Sequence, residues 1–227
     1  MKFAPGAWKY AIVPLVAAPF AFIWSVTVSV VALGVGLATL AFFRDPDRTP
    51  PPTGVVAPAD GTVSVRRAEG NRVRLGTFMN VWHVHVVRTP VDARVTDVEH
   101  VSGANRPAFS KESDRNERVH VCLETDSTQL PEPADASSDG TARQELEVTL
   151  IAGAFARRIH PYVEPGDDLD RGDRIGHIAF GSRVDVRFPP SVGLEDVRAE
   201  AGDSMTAGET VVLDSAVDDF SLETELE

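Results

Sequence analysis

The sequence predicts a mainly β domain, a sandwich or barrel, preceded by an N-terminal helical segment that enters a membrane. Three observations carry this expectation. Residues 10–43 form a run of 34 without a charged side chain. After Val55 the texture changes to short β-branched runs broken by glycine and Asp-Gly, the spacing of strands and tight turns. Beyond the apolar run helical periodicity is scarce, with Gly153–His160 the best short candidate.

As one helix, the apolar run would be about 51 Å long at ~1.5 Å per residue, against a bilayer core of ~30 Å. It is too long for one simple span and short for two full ones, and Pro14 and Pro19 disturb its first half. Two short helices in a hairpin fit, and so does one span plus an interfacial helix. A cleaved signal peptide fits less well, because its apolar stretch is ~7–15 residues and ends at a small-residue site. Lys2 and Lys9 precede the run; Arg44 and Arg48 follow it. A hairpin places both basic flanks on the cytoplasmic side. The expected location is therefore the cell membrane, with the domain on its cytoplasmic face. Residues 1–43 are read as the anchor, 44–54 as a stiff proline-rich linker and 55–227 as the domain.

Within the domain, strands are expected at Val55-Val56, Thr62–Val65, Arg72–Leu75, Val81–Val87, Val95–Val98, Arg118–Leu123, Leu146–Ile151 and Val184–Phe188. Residues 125–143, rich in Ser, Asp, Pro and Thr, read as a long solvated hairpin loop.

Charge excludes some functions. The anchor holds two basic residues and no acidic ones, so the rest carries 20 basic against 34 acidic residues, a net of −14. Nucleic-acid binding through a basic surface does not fit that balance. Repulsion from anionic lipid is screened only at high salt. Lys111 is the one lysine after Lys9, and the composition reads as halophilic. The single cysteine, Cys122, excludes an internal disulfide and a cysteine-cluster zinc site; within Val-His-Val-Cys-Leu it reads as a packed thiol. The six histidines show no metal-ligand spacing, and no metal is expected.

Two stretches echo each other: Gly166-Asp-Asp-Leu-Asp-Arg-Gly-Asp and Gly202-Asp-Ser-Met-Thr-Ala-Gly-Glu. They resemble the hairpins of biotinyl and lipoyl domains, which implies a barrel-sandwich hybrid with two quasi-symmetric halves. No Met-Lys-Met or Asp-Lys-Ala carrier lysine is present, so a swinging-arm carrier is not expected.

Four further segments point to chemistry. They are Phe42-Phe-Arg-Asp-Pro-Asp-Arg-Thr-Pro; Val56-Ala-Pro-Ala-Asp-Gly-Thr-Val; Phe78-Met-Asn-Val-Trp-His-Val-His-Val-Val-Arg-Thr-Pro, followed by Lys111-Glu-Ser-Asp-Arg-Asn-Glu-Arg; and Ile151-Ala-Gly-Ala-Phe-Ala-Arg-Arg-Ile, continuing to Ile178-Ala-Phe-Gly-Ser-Arg. In this order, over residues 42–190, they resemble the phosphatidylserine decarboxylase family in its short membrane-anchored form, whose archaeal members are archaetidylserine decarboxylases.

The resemblance implies a proenzyme. The Ser182 hydroxyl attacks the Gly181 carbonyl, the resulting ester eliminates, and hydrolysis leaves a covalent pyruvoyl group. The two chains, 1–181 and 182–227, then stay together. Glycine permits strained backbone and close attack; serine needs a neighbouring base. Asp60 and a histidine are the implied partners. His85 matches the family's Val-His-Val position, with His83 as a possible helper; where long members carry a second histidine, this chain has Arg88. The implied reaction removes carbon dioxide from a serine phospholipid, with the pyruvoyl carbonyl as electron sink and His85 as proton donor. Arg88, Arg157 and Arg158 are candidates for the substrate phosphate and carboxylate. The halophilic composition favours ether lipid tails. His177 is read as structural, and His100, His120 and His160 have no motif support. Two other readings stay open: a pyruvoyl decarboxylase of another amino-acid substrate, and a non-catalytic membrane-anchored biotinyl-like binding module.

Overall fold

The computed structural model describes residues 2–103, 115–126, 129–131, 143–153, 158–179 and 182–214. From the N-terminus, β1 (Lys2–Phe3) leads into α1 (Ala7–Ala21) and α2 (Val26–Phe42), and β2 (Arg44–Asp45) returns to pair with β1. Then follow β3 (Val55–Val56), β4 (Gly61–Glu69), β5 (Arg72–Met79), β6 (Val86–Arg88), β7 (Ala93–Val101) and β8 (Arg118–Asp126). The remainder runs β9 (Arg143–Ala152), β10 (Ile159–Pro161), β11 (Asp168–Leu169), β12 (Arg174–Ile178), β13 (Ser182–Arg187), β14 (Ser204–Met205) and β15 (Val211–Leu213).

The fold is mainly β, as the sequence predicts. Eight strands form one antiparallel sheet in the order β11-β7-β8-β9-β13-β5-β4-β14. Strands β10-β12-β6 make a second sheet, and β15 pairs with β3. Period-two patterning explains the core. In β8, Val119, Val121 and Leu123 are fully buried while His120 and Cys122 take the opposite face. Leu75, Leu146, Leu150, Ile175 and Phe188 complete the same core.

The echoing Gly-Asp stretches fold alike. Gly166, Gly172, Gly202 and Gly208 all have positive φ, where a Cβ is disfavoured. The Gly166 amide donates to the Val95 carbonyl as Gly202 does to Val63, and Gly172 donates to Thr89 as Gly208 does to Ala57. Val56 donates to the Pro90 carbonyl and Arg88 to the Pro58 carbonyl, at 2.9 and 2.8 Å. Two halves of the domain thus exchange equivalent backbone bonds.

The apolar run folds into two helices packed against each other. Helix α1 continues through Pro14 and Pro19, each of which removes a single donor from the ladder. Ser25 caps α2 by accepting the Val28 amide. No helix among the described residues is long and apolar enough to cross a membrane. The helices rest on the domain through Ala4, Ala7, Phe42 and Phe43, buried against Val84, Val86 and Ala179.

Three local expectations change. Val81–Val87 is not one strand: residues 80–83 form a turn, in which the Asn80 side chain accepts the Trp82 amide, and β6 begins only at Val86. Asn80 ends the strand because its side chain competes for the backbone donor. Ile159–Pro161, the end of the expected short helix, is a strand paired with β12, while 154–157 lie outside the described residues. Part of the expected loop 125–143 is strand, and Leu130 within it is fully buried. The proline-rich segment after α2, read as stiff, is tied to the domain at its start. Asp45, 5% exposed, takes Arg88 at 3.1 Å and Arg174 at 2.6 Å.

Candidate active site

Ser182 opens β13, the strand flanked by β5 and β9, with Met79 and Ala152 as its neighbours in register. It has no solvent exposure. Its hydroxyl points to the Met79 sulfur at 3.2 Å. A thioether is a weak acceptor, so the hydroxyl is lightly held. The neighbouring strand end is firmer: Asn116, buried, donates from Nδ2 to the Ala152 carbonyl at 2.7 Å. In the sequence Asn116 is a polar residue within the Lys111-Glu-Ser-Asp-Arg-Asn-Glu-Arg segment and carries no other signal. Gly181 lies outside the described residues.

His85 stands just before β6, with 3% exposure. Its Nδ1 lies 2.9 Å from the His83 carbonyl. A carbonyl only accepts, so Nδ1 carries the proton and Nε2 keeps a lone pair. Nε2 is buried with no hydrogen-bond partner among the described residues. The Phe42 ring covers the imidazole, with centroids 4.3 Å apart. Burial, with Arg44 and His177 nearby, brings the His85 pKa down to about 4. The imidazole is therefore neutral at pH 7, the form that accepts a proton. Its carbonyl accepts the Ile178 amide at 3.2 Å. Four residues of chain reach at most about 14 Å, so Ser182 lies within that distance of Ile178.

The other candidates divide. His83 does not share a strand face with His85; its Nδ1 accepts the Asn80 amide at 3.1 Å inside the turn. Asp60 receives both oxygens' worth of contact from Arg48, at 3.1 and 2.9 Å, and accepts the Ala207 amide at 2.8 Å. No histidine bonds to it among the described residues. Arg88 is 4% exposed and donates to Gly172, Asp45 and Pro46, so its guanidinium is engaged in holding the post-helix segment. Arg158 is exposed in front of β10, and Arg157 lies outside the described residues. His177 pairs with the Tyr162 hydroxyl at 2.7 Å, and burial beside His160 lowers its pKa to about 4. His100 and His120 pair with Glu117 and Glu147. Cys122 is half-buried, and burial plus Glu145, Glu147 and Asp97 push its thiol up to about 11, which keeps it protonated.

Ser182 is buried at the head of β13, and His85 is buried with its carbonyl on the Ile178 amide, while Asp60 is engaged by Arg48 and the Ala207 amide. A profile of the phosphatidylserine decarboxylase family matches residues 35–213, from within α2 to the end of β15. The chain belongs to that family. It is 51% identical over 209 residues to an inferred archaetidylserine decarboxylase proenzyme of Halobacterium salinarum, covering 92% of this chain and 96% of the relative. A phosphatidylserine decarboxylase proenzyme of Streptomyces avermitilis is 42% identical over 187 residues, covering 82% and 77%. An inferred archaetidylserine decarboxylase proenzyme of Methanopyrus kandleri is 35% identical over 226 residues, covering 92% and 97%. Phosphatidylserine decarboxylases of actinobacteria and archaetidylserine decarboxylases of archaea thus both align along most of this family member.

Proposed function

We propose that this family member decarboxylates the serine headgroup of a phospholipid to the ethanolamine headgroup, after cutting itself between Gly181 and Ser182. The observation that carries the reading is the buried, neutral His85 Nε2, which has no hydrogen-bond partner among the described residues, on a residue whose carbonyl holds the Ile178 amide four positions before a buried, lightly held Ser182. Removing the hydroxyl proton activates Ser182 toward the preceding carbonyl. The ester so formed eliminates, releasing Gly181 as a carboxylate, and hydrolysis of the dehydroalanine at position 182 releases ammonia and leaves a pyruvoyl group, whose carbonyl would supply the electron sink for decarboxylation. The surroundings suit it: the head of β13 is enclosed by β5 and β9 and closed to water, which prevents loss of a reactive carbonyl to side reactions. His85 is the proton donor that replaces carbon dioxide on the substrate carbon, since a histidine can give back a proton it has taken. Asp60 serves self-cleavage.

The helices anchor the protein in the cell membrane. At ~1.5 Å per residue α1 and α2 are about 22 and 26 Å long, each short of a ~30 Å core, so the hairpin enters and returns to one side. That keeps both basic flanks, and the domain, cytoplasmic. Ile23 and Trp24 at the tip are each 77% exposed. Val81 and Trp82 are also exposed and abut the end of α2, and Trp82 suits the headgroup level.

Intact-mass spectrometry tests the core of this reading. Wild type is expected as two pieces, 1–181 and 182–227, the smaller blocked to Edman sequencing. Ser182→Ala is expected as one inactive chain. A full-length active wild type would refute self-cleavage.

A further inference from the structure

A pocket of about 280 Å³ lies where the start of α1 meets β10 and β12, apart from the Ser182 contacts described above. Lys9 and Arg158 face it from opposite elements, and both are exposed. Among the described residues neither cation has a hydrogen bond or ion pair through its side chain. Most arginines here do: Arg48, Arg74, Arg88 and Arg174 all rest on carboxylates. The floor is polar and ordered. His160 stacks on His177 at 4.6 Å and 15°, and Tyr162 bonds to His177. Burial, then Arg158 and Lys9, hold His160 below its ordinary pKa, opposed only by Glu117. Both cations therefore act on one spot. Tyr10, stacked on Phe43 at 5.6 Å, lines the pocket on the side of the apolar helices, and Ala179, three residues before Ser182, lines it too.

Two unpaired cations in a strongly acidic domain make a local positive site where anions are otherwise repelled. Its place at the foot of an apolar hairpin matches headgroup depth, where a lysine stem lies along apolar surface and its ammonium reaches water. An arginine fork with a lysine beside it suits phosphate oxygens. We propose that this pocket binds the phosphodiester of a phospholipid headgroup, with Lys9 and Arg158 as its cationic clamp and His160 as a further donor. The site rests on the serine-phospholipid reading only for which lipid fills it. The phosphate belongs either to the substrate or to a neighbouring anionic lipid.

Two measurements test this. In uncleaved Ser182→Ala protein with labelled histidines, sn-glycerol 3-phosphate is expected to move the His160 resonances. The shift should vanish in Ser182→Ala with Lys9→Gln and Arg158→Gln. No shift in the first protein, or an equal shift in both, overturns the site. Kinetics of mature enzyme then identify the source, with a serine phospholipid as sole lipid in neutral-detergent micelles. If the substrate's phosphate is bound, Lys9→Gln/Arg158→Gln raises KM at least tenfold with kcat within twofold, and Arg158→Lys in place of Arg158→Gln recovers part of the loss. If a neighbouring lipid's phosphate is bound, KM in those micelles is unchanged and stimulation by added phosphatidylglycerol is lost. If neither change is seen, the clamp is overturned. A His160 shift in a protein whose wild type shows no turnover would refute the decarboxylase reading and leave the pocket standing.

Discussion

Asp60 and Asp92 occupy equivalent turns in the two halves of the domain. The first lies in Ala57-Pro-Ala-Asp-Gly-Thr-Val, the second in Thr89-Pro-Val-Asp-Ala-Arg-Val. Asp60 accepts the Ala207 amide at 2.8 Å; Asp92 accepts the Arg171 amide at 2.7 Å. In both, the carboxylate ties its turn to the hairpin that starts at the echoing glycine. The scaffold thus asks for an aspartate at each place without any chemistry. What differs is the surroundings. Asp92 is exposed, while the Asp60 side chain is 14% exposed and holds Arg48 from the post-helix segment. A residue type that looks catalytic in one half has a structural task that its counterpart in the other half shares, and the added arginine and the burial are what distinguish Asp60.

The largest expected effect separates these twins. Asp60→Ala is expected to slow self-cleavage at least a hundredfold, leaving uncut chain on a denaturing gel. Asp92→Ala loses a comparable turn bond, costing about 1 kcal/mol, and should mature at the wild-type rate. Equal maturation of the two variants would reduce Asp60 to a turn residue.

Next in size is the contrast three residues before each exchanged strand bond. Before Val56 stands exposed Thr53; before Arg88 stands buried His85. His85→Ala should lower decarboxylation per pyruvoyl group by ten- to a thousandfold, in line with loss of a general acid. The check is to purify the matured fraction and assay it per pyruvoyl. Wild-type turnover per group would shift the proton donor elsewhere, with His83 the first suspect.

Acid should unfold the working end first. His85 and His177 have folded pKa values near 4, below the ~6.5 of an unfolded histidine. Between those values the unfolded chain binds more protons, so stability falls as pH drops from about 6.5 to 4 and is unaffected by these groups above 7. Each accounts for on the order of 3 kcal/mol, and as neighbours they do not simply add. Denaturant midpoints at pH 7 and 4.5 measure the loss; His177→Gln should shrink it. An unchanged loss in that variant would place the acid sensitivity in the carboxylates instead.

The sequence shows its β texture, its two Gly-Asp hairpins and the site segments clearly, because period-two patterning and positive-φ glycine are local properties. It misreads what long-range contact decides. Val81–Val87 has strand composition, yet Asn80 and its turn break it. Asp45 and Arg88 look like linker and ligand candidates, yet they find each other across 43 positions and bury. The pairing of Asp60 with Arg48, and the equivalence of Asp60 with Asp92, needed the fold before either could be seen.

The smallest effect tests the symmetry alone. Gly166 and Gly202 sit at matched places with φ of 104° and 101°. A Cβ on Gly202 would meet nothing within 4 Å, and one on Gly166 only the tip of Arg94 at 4.0 Å. Alanine at either place therefore costs backbone strain without a clash, roughly 1–2 kcal/mol for a left-handed conformation. The two costs should agree within about 0.5 kcal/mol, which corresponds to 1–2 °C in Tm for a domain of this size. Gly172→Ala is the internal contrast. Its φ is 87°, but the new Cβ would lie 2.5 Å from Pro50 Cγ, so its cost should exceed both because the post-helix segment must shift. Thermal melts of the three variants in high salt give the ranking. Unequal costs at 166 and 202 would mean that the two halves share their hydrogen bonds without sharing their rigidity.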